Sequence, residues 1–195
     1  MNHVKLISLV NLFSVLLFVS KSFAWNVGIE ADFLHPLLRS TERTQFDRTW
    51  ISPRLFFAEN FHIGAELIHD DGEVSGFASG TSIGERSAPT NYQGLGFGYY
   101  VSGYHNNSVR FSLTTGPAKR KFVDSLLGTL ETTGIFYLTE AGYQLVSHFG
   151  LLGLSIGWID SDLQEETTFS SGGNQSEMKK TNSDIFLKVA VGASF

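Results

Sequence analysis

The chain has 195 residues, with 14 Lys+Arg against 19 Asp+Glu and a formal net charge of −5. Hydrophobic content is 42% and charged content 17%, so the chain can bury a core, and a disordered tail is excluded. Cysteine is absent, which excludes disulfide frameworks and thiolate metal sites, and the acidic balance argues against nucleic acid as a partner.

Residues 1–24 read as an export signal. Lys5 supplies a positive start, Leu6–Val19 is an apolar run broken by Ser8, Asn11 and Ser14, and Ser22 and Ala24 place small residues at a cleavage site. The run is short for a spanning helix. Residues 25–195 are expected to be the exported domain.

In that domain apolar and polar residues alternate with period two, again and again. The first segment sets Trp25, Val27, Ile29, Ala31 and Phe33 against Asn26, Gly28, Glu30 and Asp32. The second sets Ile51, Leu55 and Phe57 against Ser52 and Arg54, with Pro53 predicting a bulge or a shifted register. Further segments run over 61–67, 94–101, 109–114, 135–145 and 152–158. The last puts Ile185, Leu187, Val189, Val191, Ala193 and Phe195 on one face. Eight strands are predicted. The connections alternate too. Those near 58–60, 102–107 and 146–149 are short, whereas 38–48, 70–91, 116–133 and 160–183 are long and polar. Short turns at one end and long loops at the other are the pattern of an antiparallel up-and-down transmembrane β-barrel.

A soluble lipocalin-like barrel would share the strand count but carry its apolar face inside. The polar face argues for the opposite arrangement. Glu30, Arg54, Glu66, Arg110, Glu140 and Lys188 all fall at similar heights above the short turns, with alternating sign, and Asp32 is extra. A water-facing surface gives no reason for such matching. A narrow interior does, because each buried charge needs a partner.

On these features the chain resembles the small eight-stranded outer-membrane barrels of Gram-negative bacteria, the group of the OmpA transmembrane domain, OmpX/Ail and OmpW. The resemblance rests on the alternating last strand ending in Phe195, the loop asymmetry and the interior charges. It implies a bacterial outer-membrane location reached through the periplasm, with Phe195 as the signal read by the outer-membrane assembly machinery. It also implies a monomer in contact with outer-membrane lipid, and no cofactor.

Lys119, Arg120 and Lys121 form a basic run at the long-loop end, suited to lipopolysaccharide phosphates. Trp25, Trp50, Phe57, Phe61, Tyr99, Tyr143, Phe149 and Trp158 near strand ends read as interfacial girdles. The acidic stretches 70–73 and 160–166 lack a calcium-loop spacing. A lipid A deacylase would need a His and a Ser two apart on a late strand, which is missing; His69 near Asp70, Asp71 and Ser75 is the remaining catalytic candidate. No catalysis is expected. The expected role is a surface or structural one, with host, matrix or lipopolysaccharide contact through the loops and a charge-plugged lumen. A narrow channel for small or apolar solutes, in which the charges swap partners, is the alternative, and a lipid A-modifying enzyme a third class.

Overall fold

The period-two pattern builds the strands of the described residues. In a computed structural model, residues 26–32, 48–71, 75–79, 86–148 and 150–194 are described. The proposed leader 1–24, the girdle residues Trp25 and Phe149, and Phe195 lie outside them.

The strands are β1 (Asn26–Asp32), β2 (Arg48–Ala58), β3 (Phe61–Asp70), β4 (Ser75–Ser79), β5 (Arg86–Ser87), β6 (Thr90–Tyr100), β7 (Ser108–Asp124), β8 (Gly128–Ser147), β9 (Gly150–Ser161), β10 (Glu166–Ser171), β11 (Asn174–Lys179) and β12 (Asp184–Ser194). Eight of them form a ring in the order β1-β2-β3-β6-β7-β8-β9-β12, and β12 pairs back onto β1. Every neighbouring pair in the ring is antiparallel. Each of these eight overlaps one of the eight segments that the alternation predicts.

Three of the long connections, 70–91, 116–133 and 160–183, differ from expectation; the fourth, 38–48, lies outside the described residues except for Arg48. Residues 116–133 read as a polar loop, yet β7 and β8 run on through them, with Ser125, Leu126 and Leu127 joining the two. Alternation persists there: Ala118, Arg120 and Phe122 are buried while Lys119 and Lys121 are exposed. The polar composition comes from an outer face that has left the apolar belt. Residues 70–91 include β4 and the short β5, which extends the sheet beside β7. Residues 160–183 contain the β10–β11 hairpin, which joins β4 in a separate three-stranded sheet. Pro53 causes no slip against β1, where it faces Ile29 in continuous register; the irregularity lies between Phe56 and Ala58 on the β3 side.

The outer face of the ring carries large apolar side chains in water-accessible positions. Leu95 is 71% exposed, Ile185 69%, Leu113 64% and Ile156 58%. The inner face is layered. At the short-turn end Phe56, Tyr100 and Tyr104 pack together, with Phe56 and Tyr104 stacked at 4.1 Å between centroids. The charged residues come next. Beyond them Trp50, Ile68, Tyr92, Phe136, Leu138, Ile159 and Phe186 form an apolar layer. A smaller cluster of Ala88, Phe122 and Met178 lies beyond the ring's middle, at the long-connection end. The interior is therefore less polar than alternation alone predicts.

Glycines give the inner side chains their room. A Cβ on Gly157 would lie 2.2 Å from Phe186 Cζ and 2.4 Å from the Thr139 carbonyl oxygen. The second of these is backbone and cannot rotate away. Gly157→Ala is expected to destabilise the fold by about 1–3 kcal/mol, the usual cost of overpacking. A lower urea midpoint than wild type checks it; an unchanged midpoint would mean that the wall yields.

Candidate functional site

Inner and outer faces follow from parity along each strand. Glu30 and Asp32 on β1, Arg54 on β2, Glu66 on β3, Arg110 on β7, Glu140 on β8 and Lys188 on β12 all point inward and are buried. Each of the six ring charges faces a glycine or serine across a neighbouring strand. The pairs are Glu30–Gly192, Arg54–Gly64, Glu66–Gly94, Arg110–Gly142, Glu140–Gly157 and Lys188–Ser155. A long side chain from one strand thus has free space beside it to cross the interior.

The six form one connected chain of alternating sign. Arg54 Nη2 lies 3.1 Å from Glu30 Oε2. Arg110 Nη1 donates to both Glu30 oxygens, at 2.7 and 2.6 Å, and its Nη2 donates to Glu140 Oε1 at 2.6 Å. Lys188 Nζ continues the chain, 3.6 Å from Glu140 Oε2 and 3.9 Å from Glu66 Oε2. Three carboxylates meet three cations, so this group is neutral in sum.

Polar and aromatic neighbours complete the shell. Tyr100 Oη accepts from Arg54 Nη1 at 2.8 Å. Lys188 Nζ donates to Ser52 Oγ at 3.1 Å and sits 4.0 Å from the centroid of the Trp50 ring. Trp50 Nε1 and Ser52 Oγ both donate to Glu66 Oε2. Trp50 is therefore an inner residue, 1% exposed, and not part of an outer girdle. Its parity with Ser52 and Arg54 dictates this. Phe57, Tyr99, Tyr143 and Trp158 do point outward, and Phe61 packs against Phe57 and Tyr99.

The basic run divides in the same way. Lys119 and Lys121 project outward, whereas Arg120 is fully buried. The three cations cannot form one patch, because successive strand residues face opposite sides. Arg120 instead clamps the segments just before β10 and just after β11. It donates from Nη1 to the carbonyls of Gln164 and Lys180 at 3.0 and 3.1 Å, and to Asn182 Oδ1 at 2.9 Å.

Sequence reading missed a second polar group at the long-connection end. Arg48 Nη2 lies 3.2 Å from Asp70 Oδ2 and 3.0 Å from Asp184 Oδ2. Lys180 Nζ donates to the Ala88 carbonyl at 2.7 Å, with Asp70 Oδ1 at 3.7 Å. Burial pushes the Lys180 ammonium down from 10.5 to about 8; Asp70 opposes this, while Arg120 and Arg48 add to it. The inward parity of Arg48 and Asp70 was available as a signal; the return of Lys180 from a distant segment was not.

The catalytic candidate separates. His69 faces outward, with Asn91 Oδ1 2.7 Å from its Nδ1 and Asp71 Oδ1 2.9 Å from its Nε2, while Asp70 points inward to Arg48. Among the described residues no group of three or more His, Cys, Asp or Glu is placed to hold a metal ion. No protein-family model, curated protein or solved structure matches the chain.

Two outcomes follow. Arg110→Met would leave Glu30 and Glu140 facing each other without their shared cation. The expected loss is about 3–5 kcal/mol of stability, the cost of breaking a buried pair from one side; a loss under about 1 kcal/mol, the size of a surface pair, would refute the chain's importance. For Lys180 the unfolded chain holds its proton to higher pH than the folded one, so stability rises from about pH 8 towards 10.5. Protection of residues 162–183 from proteolysis should increase over that window, and Lys180→Met should remove the increase.

Proposed function

We propose that the protein is an eight-stranded β-barrel of the bacterial outer membrane, with a plugged lumen and a surface or structural role. One observation carries this reading: a ring of strands that is apolar outside encloses a neutral chain of buried charges. A protein in water gains by the reverse arrangement, and large contiguous apolar surface there is a liability. Against lipid the same belt is the stabilising face.

The dimensions agree. On β8 the outward belt runs from Ile135 to Tyr143 and Leu145. Ten residue steps span about 33 Å along a strand, which at a tilt of about 45° gives a band near the usual ~25 Å. Thr49, His69, Asn91, Lys119 and Thr133 follow on the outer face beyond the belt, so polarity returns where headgroups would begin.

The plug reading is supported by the crossing of the interior by Arg110 between Glu30 and Glu140. An eight-stranded barrel is wide enough only for its own side chains. Opening a path would require several buried ion pairs to part together. The long-connection end, with its Arg120-clamped segment and its three-stranded sheet, is then the outward surface for contact with the envelope, a host or a matrix.

Refolded residues 25–195 should float with liposomes and migrate differently on a detergent gel before and after boiling. In a planar bilayer they should show no discrete openings. Soluble protein with a single mobility would overturn the membrane reading; openings altered by Glu140→Gln would replace the plug with a channel.

A further inference from the structure

We propose that the outer face of β6, β7 and β8 holds one membrane lipid with a phosphate headgroup, seated at Lys119 and Lys121 above an apolar depression that takes an acyl chain. The inference rests on the membrane reading above and names a partner for that surface.

The first observation is where the cations are. Among the described residues, Lys119 and Lys121 are the lysines or arginines that project outward from the ring; Arg48, Arg54, Arg110, Arg120 and Lys188 are all buried. Both lie on one face of β7, about 6.6 Å apart along the strand. They stand in a polar row, since Lys119 faces Asn91 on one side and Thr133 on the other, and Asn91 faces His69.

The second is what lies beneath them. Ile63, Leu95, Phe97, Leu113, Thr115 and Tyr137 line a depression of about 520 Å³ on the same face. Thr115 sits between Leu95 and Tyr137 in the register, a short side chain between long ones. Its hydroxyl donates to the Phe136 carbonyl at 2.9 Å, so its polar atom is engaged with the wall of strands and its methyl is left for the hollow. Thr115 is four residues from Lys119, about 13 Å along β7. A headgroup at the lysines leaves its chain over the hollow.

The third is charge. Lys119 Nζ lies 2.7 Å from Glu131 Oε1, with the two side chains 53% and 48% exposed. Lys121 faces the same Glu131 across the ladder. One carboxylate thus stands across the ladder from two lysines of β7 and is paired with Lys119, so at this point of the edge two ammonium groups face one carboxylate. A pair this exposed is worth little in water, so a phosphate oxygen can take over the ammonium at small cost.

The test uses refolded protein in detergent micelles and native mass spectrometry. The probes are a dipalmitoyl phosphatidic acid, the matching diacylglycerol and inorganic phosphate. Phosphatidic acid should be retained, and the other two much less. Lys119→Gln with Lys121→Gln should lower retention by at least about tenfold, the loss of one charge-assisted bond. Thr115→Trp, which fills the hollow, should lower it as well while leaving the heat-dependent gel shift intact. Equal retention by wild type and both variants would overturn the site. Retention of inorganic phosphate unaffected by Thr115→Trp would overturn the lipid and leave only an anion site. Protein that floats with liposomes yet does not distinguish the probes loses this proposal alone; protein that does not float loses the membrane reading with it.

Discussion

Three carboxylates and three cations enclosed by one ring of strands have to neutralise one another there, because water cannot reach them to do it. Arg110 is the hinge of that constraint. It binds both oxygens of Glu30 and one of Glu140, on strands that lie on different sides of the ring. With Arg54 at one end and Lys188 bridging to Glu66 at the other, β1, β2, β3, β7, β8 and β12 are tied through their side chains as well as their backbones. Removing one member leaves its partners charged and buried, so the group stands or falls together. The glycines and serines opposite each charge are part of the same arrangement, since the long side chains need that space to meet.

Alternation made most of this legible. It marks the eight strands of the ring and puts the six charges on one face. Composition misleads where it departs from parity. Trp50 shares the parity of Ser52 and Arg54, and it lies inside with its indole over the Lys188 ammonium. Arg120 shares the parity of Ala118 and Phe122, and it points away from both lysines beside it. The polar stretch 116–133 is strand because period two continues through it, with only the outer face changing character. Other features had no local signal at all. The docking of β4 onto β11 joins residues about a hundred positions apart, and the clamp from Arg120 to 164, 180 and 182 depends on how a distant hairpin returns.

The interior layers bear on function. Aromatic rings close the short-turn end, the ion pairs cross the middle, and Trp50, Phe136 and Phe186 with their neighbours cover the far side. Stacked in this way, the contents of the ring act as a core, and a solute would have to displace all three layers to pass. What remains free to vary is the outer surface: an apolar belt, a polar row at its edge, and the hairpins beyond. On the proposed reading, contact with partners falls at the perimeter of the molecule and stability in its centre.

Central to that reading is the inversion of inside and outside, and the tryptophans report on that directly. Trp158 is 42% exposed on the outer face, while Trp50 is 1% exposed inside. With Trp25 replaced by Phe, variants keeping one or the other can be refolded into liposomes whose acyl chains carry bromine. Strong quenching of Trp158 fluorescence and little quenching of Trp50 are expected. Quenching of Trp50 with Trp158 left bright and open to aqueous quenchers would contradict the inversion.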